Sequence, residues 1–235
     1  MKEVFWDSIA LYNAATWPWQ IGFIAVAFVL TMILSFRPST WAKIAMKVFM
    51  VVISLWVAFV YYMKFGSVRE YSSVMTIFWC MVAASWVYDL VTHFSSFQKS
   101  GKYRPWGVIM LILPLVYPLI SLARGMSFPM MTTPLLPSAV AQFMLGVLMT
   151  FNRKINFFAF IFIVHWAVIA ISKIIFFNIP EDIILAVCCL PAMYIFFKES
   201  IEADAVKHKP SRKAVEGLIL LVVVIIAACF VVEYV

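Results

Sequence analysis

Residues 156–177 read NFFAFIFIVHWAVIAISKIIFF, an apolar run whose only ionisable side chains are His165 and Lys173. A helix of that length is about 30 Å long, the thickness of a bilayer's hydrocarbon core. Backbone amides in lipid must find their partners within a helix or a closed barrel. A continuous apolar run without period-two alternation selects the helix. This stretch therefore reads as a transmembrane span.

Working outward, seven further runs share that character: residues 17–36, 44–63, 72–91, 106–123, 138–151, 182–197 and 215–235. The fourth contains Pro114 and Pro118, which predict a kink. The fifth is short and follows the proline-rich segment 125–137, with Pro129, Pro134 and Pro137. Asn178-Ile179-Pro180-Glu181 suits the start of the seventh helix. The expected fold is an all-α, polytopic transmembrane helix bundle of about eight spans with both termini outside. Its organisation is a seven-span membrane core over residues 1–197 with an N-terminal interfacial segment, a cytoplasmic polar loop at 198–214 and a C-terminal transmembrane helix at 215–235.

Composition agrees. Of 235 residues, 65% are hydrophobic and 12% charged, against about half and about a quarter in soluble domains. The net charge of +7 does not indicate nucleic acid, because the basic residues sit in short gaps between apolar runs rather than in one patch. Counted on alternate sides of the eight spans, thirteen Lys and Arg fall on one side, among them Lys43, Lys47 and Lys213. Five fall on the other: Lys2, Lys64, Arg69, Arg124 and Lys173. The excess places the richer side in the cytoplasm.

The first apolar run begins near Trp17, after Glu3 and Asp7, and no A-x-A cleavage pattern follows it. It is expected to stay in the mature protein. Val4, Phe5, Ile9 and Tyr12 before it recur near helical spacing, which suits either a short helix on the outer surface or a frayed terminus. Trp6, Trp17 and Trp19 read as interfacial anchors. Cys80, Cys188, Cys189 and Cys229 all lie in apolar runs and read as small buried hydrophobes, neither a disulfide framework nor a metal site.

Ionisable residues inside spans suggest function by default. His165 is suited to shuttling a proton or binding a ligand; the structural reading, one interhelical hydrogen bond, is favoured over it. Asp89, near the cytoplasmic end of the third span, either gates an ion path or, the favoured reading, pairs with a cytoplasmic Lys or Arg. Lys173 reads foremost as a snorkelling side chain. Arg124 opens the apolar, proline-rich segment, which at this depth must be buried in protein or line a cavity. Arg124 is suited to attracting an anion there, and Gln142, one turn into the next helix, to facing the same cavity. A packed outer cap with a headgroup-binding arginine weighs equally. His165, Gln142, Arg124, Asp89 and Lys173 thus form the candidate substrate or ion path. No Walker loop, G-x-S-x-G or H-E-x-x-H motif occurs, so no catalytic residue, metal or cofactor is expected.

Phe5-Trp6, Tyr12-Asn13-Ala14-Ala15-Thr16-Trp17-Pro18 with Gln20, Trp56 with Tyr61-Tyr62, Tyr117-Pro118, Phe128-Pro129 with Pro134 and Pro137, Trp166, and Glu181-Asp182 carry a resemblance. Over residues 5–190 the chain resembles an uncharacterised bacterial family of polytopic membrane proteins, a domain of unknown function. The resemblance implies a bacterial cytoplasmic membrane and supplies no activity. Leu135-Leu136-Pro137 departs from the polar and cysteine residues that members often carry near the proline loop. Small-solute or ion transport is the expectation. A non-transporting membrane component (an assembly, sensor or lipid-interacting protein) is the alternative, and an intramembrane enzyme the weaker third. The partner expected in every case is the lipid bilayer.

Overall fold

The computed structural model describes residues 2–93, 95–97, 104–154 and 156–204. The expected final span at 215–235, and the polar loop beyond Asp204, lie outside the described residues. The chain divides into two compact units, one ending at Cys188 and one beginning at Cys189.

Among the described residues the protein is all-α but for one short ribbon. Helix α1 covers Lys2–Phe36, α2 Thr40–Leu55, α3 Ser72–Thr92, α4 Arg104–Ile112, α5 Tyr117–Ala123, α6 Pro137–Phe151, α7 Phe157–Phe177 and α8 Ile183–Asp204. The ribbon pairs β1 (Ser96–Phe97) antiparallel with β2 (Asn152–Lys154). Four helical stretches among the described residues are long and apolar enough to cross a bilayer: α1, Thr40–Lys64, α3 and α7. The bent pair of α4 and α5 makes a fifth if it is one span.

Helix α1 differs from expectation. It is one unbroken helix of 35 residues, so no separate surface helix and no frayed terminus precedes the apolar run. Phe5, Ile9, Tyr12, Asn13, Thr16 and Gln20 form a buried stripe at helical spacing that continues across Pro18. Packing along that stripe holds the helix through the one amide a proline cannot supply. Trp6 is no interfacial anchor: it is buried, and its indole Nε1 donates to the Phe177 carbonyl at 3.1 Å. Trp17 and Trp19 are exposed, as anchors would be.

Ser39 caps α2, its hydroxyl accepting from the Ala42 amide at 3.2 Å. After Leu55 the helix continues as a π-helix over Trp56–Lys64, and the looser i→i+5 pattern persists in the Phe65 amide bonding to Val60. The apolar periodicity held no sign of this change. The expected kink in the fourth span is present: a 3₁₀ turn at Leu113–Leu115 separates α4 from α5, and the two are bent by 49°. Asn156 caps α7, accepting from Ala159 and donating to the Ser85 carbonyl at 3.1 Å.

Helix α6 is short and almost wholly enclosed by other helices. Of its 15 residues only Phe143 is not fully buried, and it is packed by α2, α4 and α7. Two glycines, one on each helix, seat it against α4. A Cβ on Gly107 would lie 2.7 Å from the Thr150 amide nitrogen, and one on Gly146 would lie 2.7 Å from the Leu111 nitrogen. Both obstacles are backbone, so neither can swing aside, and small residues are what permit such approach. Gly146→Ala is expected to cost about 1–3 kcal/mol of stability in detergent. Gly22→Ala, at a position with nothing within 4 Å, should cost nothing. Equal melting temperatures for the two variants would refute the close approach.

Candidate functional site

The polar side chains collect at the end of the first unit where the proline-rich segment lies. Asn13, fully buried on α1, is the central pin. Its Nδ2 donates to the carbonyls of Pro129 and Met131, both at 2.8 Å, while its Oδ1 accepts from Gln20 at 3.1 Å and Thr133 at 3.3 Å. The Phe128–Pro129 peptide bond is cis. Thr132 is held from the other side: its amide donates to the Ser121 hydroxyl at 3.0 Å and its own hydroxyl to the Tyr117 carbonyl at 2.9 Å. An irregular apolar segment is thereby relieved of unpaired backbone groups.

Arg124 faces Glu181 across this end. Its Nη1 donates to both Glu181 carboxylate oxygens, at 3.0 and 2.9 Å, and its Nη2 to the Asn178 carbonyl at 2.8 Å. Ser121 donates to the same carboxylate at 2.7 Å. Glu181 is wholly buried, whereas the Arg124 side chain keeps 24% exposure, so the guanidinium reaches the surface with its charge partly balanced beneath. Lys173 does not simply snorkel. Its Nζ bonds Asp182 at 2.8 Å and the Ser138 hydroxyl at 3.2 Å, above the Trp166 ring. Glu181 and Asp182, read from their position as helix-start acids, thus serve as partners for two cations, Arg124 from 57 residues away and Lys173 from the preceding helix α7.

Arg69, expected in the gap between the second and third spans, sits inside the protein at 6% exposure. Its guanidinium lies over the rings of Tyr61, Tyr62, Phe5 and Tyr71 at 4.8–5.8 Å and donates to the Tyr61 hydroxyl at 3.2 Å. Gly66 makes this possible, since a Cβ there would lie 2.7 Å from the Tyr62 carbonyl oxygen. The signal was present as Tyr61-Tyr62, Gly66 and Tyr71 flanking one arginine, but only the fold brings Phe5 to complete the box.

The remaining candidates lie elsewhere. Asp89 pairs with Lys47 at 3.2 Å, with both side chains buried, and it accepts from the Ser95 amide at 2.7 Å and from the Ser95 hydroxyl. Lys47 also donates to the Ser95 carbonyl at 2.9 Å. His165 is buried against the Phe78 ring, 5.5 Å between centroids. Gln142 is wholly buried on α6 and donates to the Met110 carbonyl at 3.4 Å. Its partners are the Met110 carbonyl on α4 and the Cys188 side chain rather than Arg124.

Two clefts open beside the proline segment. One, of about 480 Å³, is bordered on α1 by Lys2, Glu3, Trp6 and Asp7. Arg124, Met126, Met130 and Asn178 form its far wall. The other, of about 360 Å³, is apolar and lies between Trp17, Gln20, Ile21 and Ile24 of α1 and Phe128, Thr133 and Pro134. Neither is lined by His165 or Gln142. Among the described residues, no three His, Cys, Asp or Glu side chains gather as a metal ion would require.

Long apolar helices, glycine-seated packing and a buried irregular segment with satisfied carbonyls are compatible with a helical membrane protein. The chain belongs to a family of unknown function, DUF6064, which matches residues 2–207. No protein of curated function and no solved structure matches it. The residues that carry the resemblance in the sequence, Tyr12, Asn13, Trp56, Pro129, Trp166, Glu181 and Asp182 among them, are largely those that tie this polar end together.

Proposed function

We propose that this is a polytopic protein of a bacterial cytoplasmic membrane, crossing it eight times with both termini outside, and that it holds a small charged ligand at the cleft beside Arg124. The observation that carries this reading is the Arg124–Glu181 pair. A buried carboxylate anchors an arginine whose outer edge remains open in a cleft that also presents Lys2, Glu3 and Asp7. Such an arrangement fixes a cation at the surface without leaving a bare charge inside.

Small-solute or ion transport, toward which the sequence leans, needs a water path past Gln142 or His165. Both are buried and neither borders either of the two clefts beside the proline segment, so the reading we favour is holding a ligand rather than passing it through, as in a sensor, an assembly factor or a lipid-interacting protein.

Substituted cysteines separate these readings. In a background with Cys80, Cys188, Cys189 and Cys229 replaced, Met126→Cys and Met130→Cys are expected to react with a membrane-impermeant maleimide from outside, and Gln142→Cys from neither side. Labelling of Gln142→Cys from both sides would favour transport. Unreactive cleft positions, or labelling only from the cytoplasm, would overturn the proposed site and its orientation.

A further inference from the structure

The two clefts lie on the same flank of α1. Glu3, Trp6 and Asp7 border the charged cleft; Trp17, Gln20 and Ile21 border the apolar one, each about four turns further along. Both clefts have the proline segment as their opposite wall, through Met126 and Met130 for the first and Phe128, Thr133 and Pro134 for the second. Between them α1 carries half-buried Ala10, exposed Ala14 and the buried Asn13 that bonds the proline segment.

The charged cleft is level with the end of α7. The Phe5 ring stacks on Phe177 with 4.4 Å between centroids, and Trp6 bonds the Phe177 carbonyl. Helix α7 has 21 residues, about the length needed to cross the hydrocarbon core. Its end therefore marks the depth of the headgroups, and the apolar cleft lies deeper, among acyl chains. Asp7 and Trp17 are about 15 Å apart along the axis, roughly one leaflet of a 30 Å core.

We propose that the two clefts form one site for a diacyl phospholipid whose headgroup carries both a phosphate and a primary ammonium, a phosphatidylethanolamine. The phosphate meets Lys2 and the open edge of Arg124, the ammonium meets Glu3 and Asp7, and one acyl chain lies against Ile21, Ile24 and Phe128. A purely anionic headgroup would leave the two acids facing it unpaired. A quaternary ammonium has no N–H to donate to them. This inference rests on the proposed charged-ligand cleft and specifies its occupant.

The test is native mass spectrometry of the full-length protein. It would be released from nanodiscs containing equal mole fractions of phosphatidylethanolamine, phosphatidylglycerol and phosphatidylcholine. Retained phosphatidylethanolamine is expected to exceed either of the others by about fivefold, the scale of one partly exposed charge pair. The surface variant Glu3→Gln/Asp7→Asn should bring the three lipids to parity, and Ile21→Trp, which fills the groove, should lower retention of all three. Equal retention in the unaltered protein overturns the proposal, as does preference for phosphatidylglycerol. Water-soluble glycerophosphoethanolamine is the control that separates the two readings. If it binds with the same charge dependence while the lipid shows no preference, the charged-ligand cleft stands and the lipid assignment falls. If neither binds and Met130→Cys is unreactive from outside, both fall.

Discussion

Replacing Asp89 with alanine is expected to lower the unfolding free energy in detergent by about 3–5 kcal/mol, the cost of leaving a buried charge without its partner. Lys47 and Asp89 keep only 6% and 1% of their side-chain surface exposed, so Lys47 cannot be resolvated in place. Asp89 also accepts the Ser95 amide beyond the end of α3, and alanine would orphan that donor as well. Lys47→Met/Asp89→Asn removes both charges while retaining an acceptor for Ser95, and should recover at least half of the loss. Reversible unfolding of the two variants and the unaltered protein provides the comparison. A loss below about 1 kcal/mol for Asp89→Ala, the range of exposed pairs, would mean that water reaches this pair.

Asn13→Asp is expected to release the proline segment from α1. The substitution is nearly isosteric, yet it removes both donors that hold the Pro129 and Met131 carbonyls and places a charge at a wholly buried position. Each buried polar group left unsatisfied costs about 1–3 kcal/mol, so two carbonyls alone bring the penalty to several kcal/mol. Met131 and Thr133 are buried when the pin is intact, at 7% and 8% exposure. Cysteine at position 131 should therefore change from unreactive to reactive toward a water-soluble maleimide when Asn13→Asp is added. Equal reactivity with and without the substitution would show that Asn13 does not hold the segment.

Much of the helical plan was legible from the chain. The sixth run, expected at 156–177, is α7 at Phe157–Phe177; the third, expected at 72–91, is α3 at Ser72–Thr92. Pro114 and Pro118 announced the bend between α4 and α5. These features follow from local rules, because apolar length fixes where a helix can lie in lipid and a proline removes a donor wherever it stands. The continuity of α1 was not legible. Residues 2–16 are too mixed to look like a span, and the stripe from Phe5 to Gln20 becomes decisive only once other elements pack on it.

What the sequence determined by itself is the material of the protein: all-helical, poor in charge, with its polar residues confined to gaps and a few positions inside the runs. Tertiary structure decided which of those residues meet. Arg124 and Glu181 are 57 positions apart, Lys47 and Asp89 are 42 apart, and Asn13 reaches Pro129 across 116. No periodicity encodes such partnerships. A buried charge must find some counter-charge, and a buried carbonyl some donor, but packing of the helices selects which one.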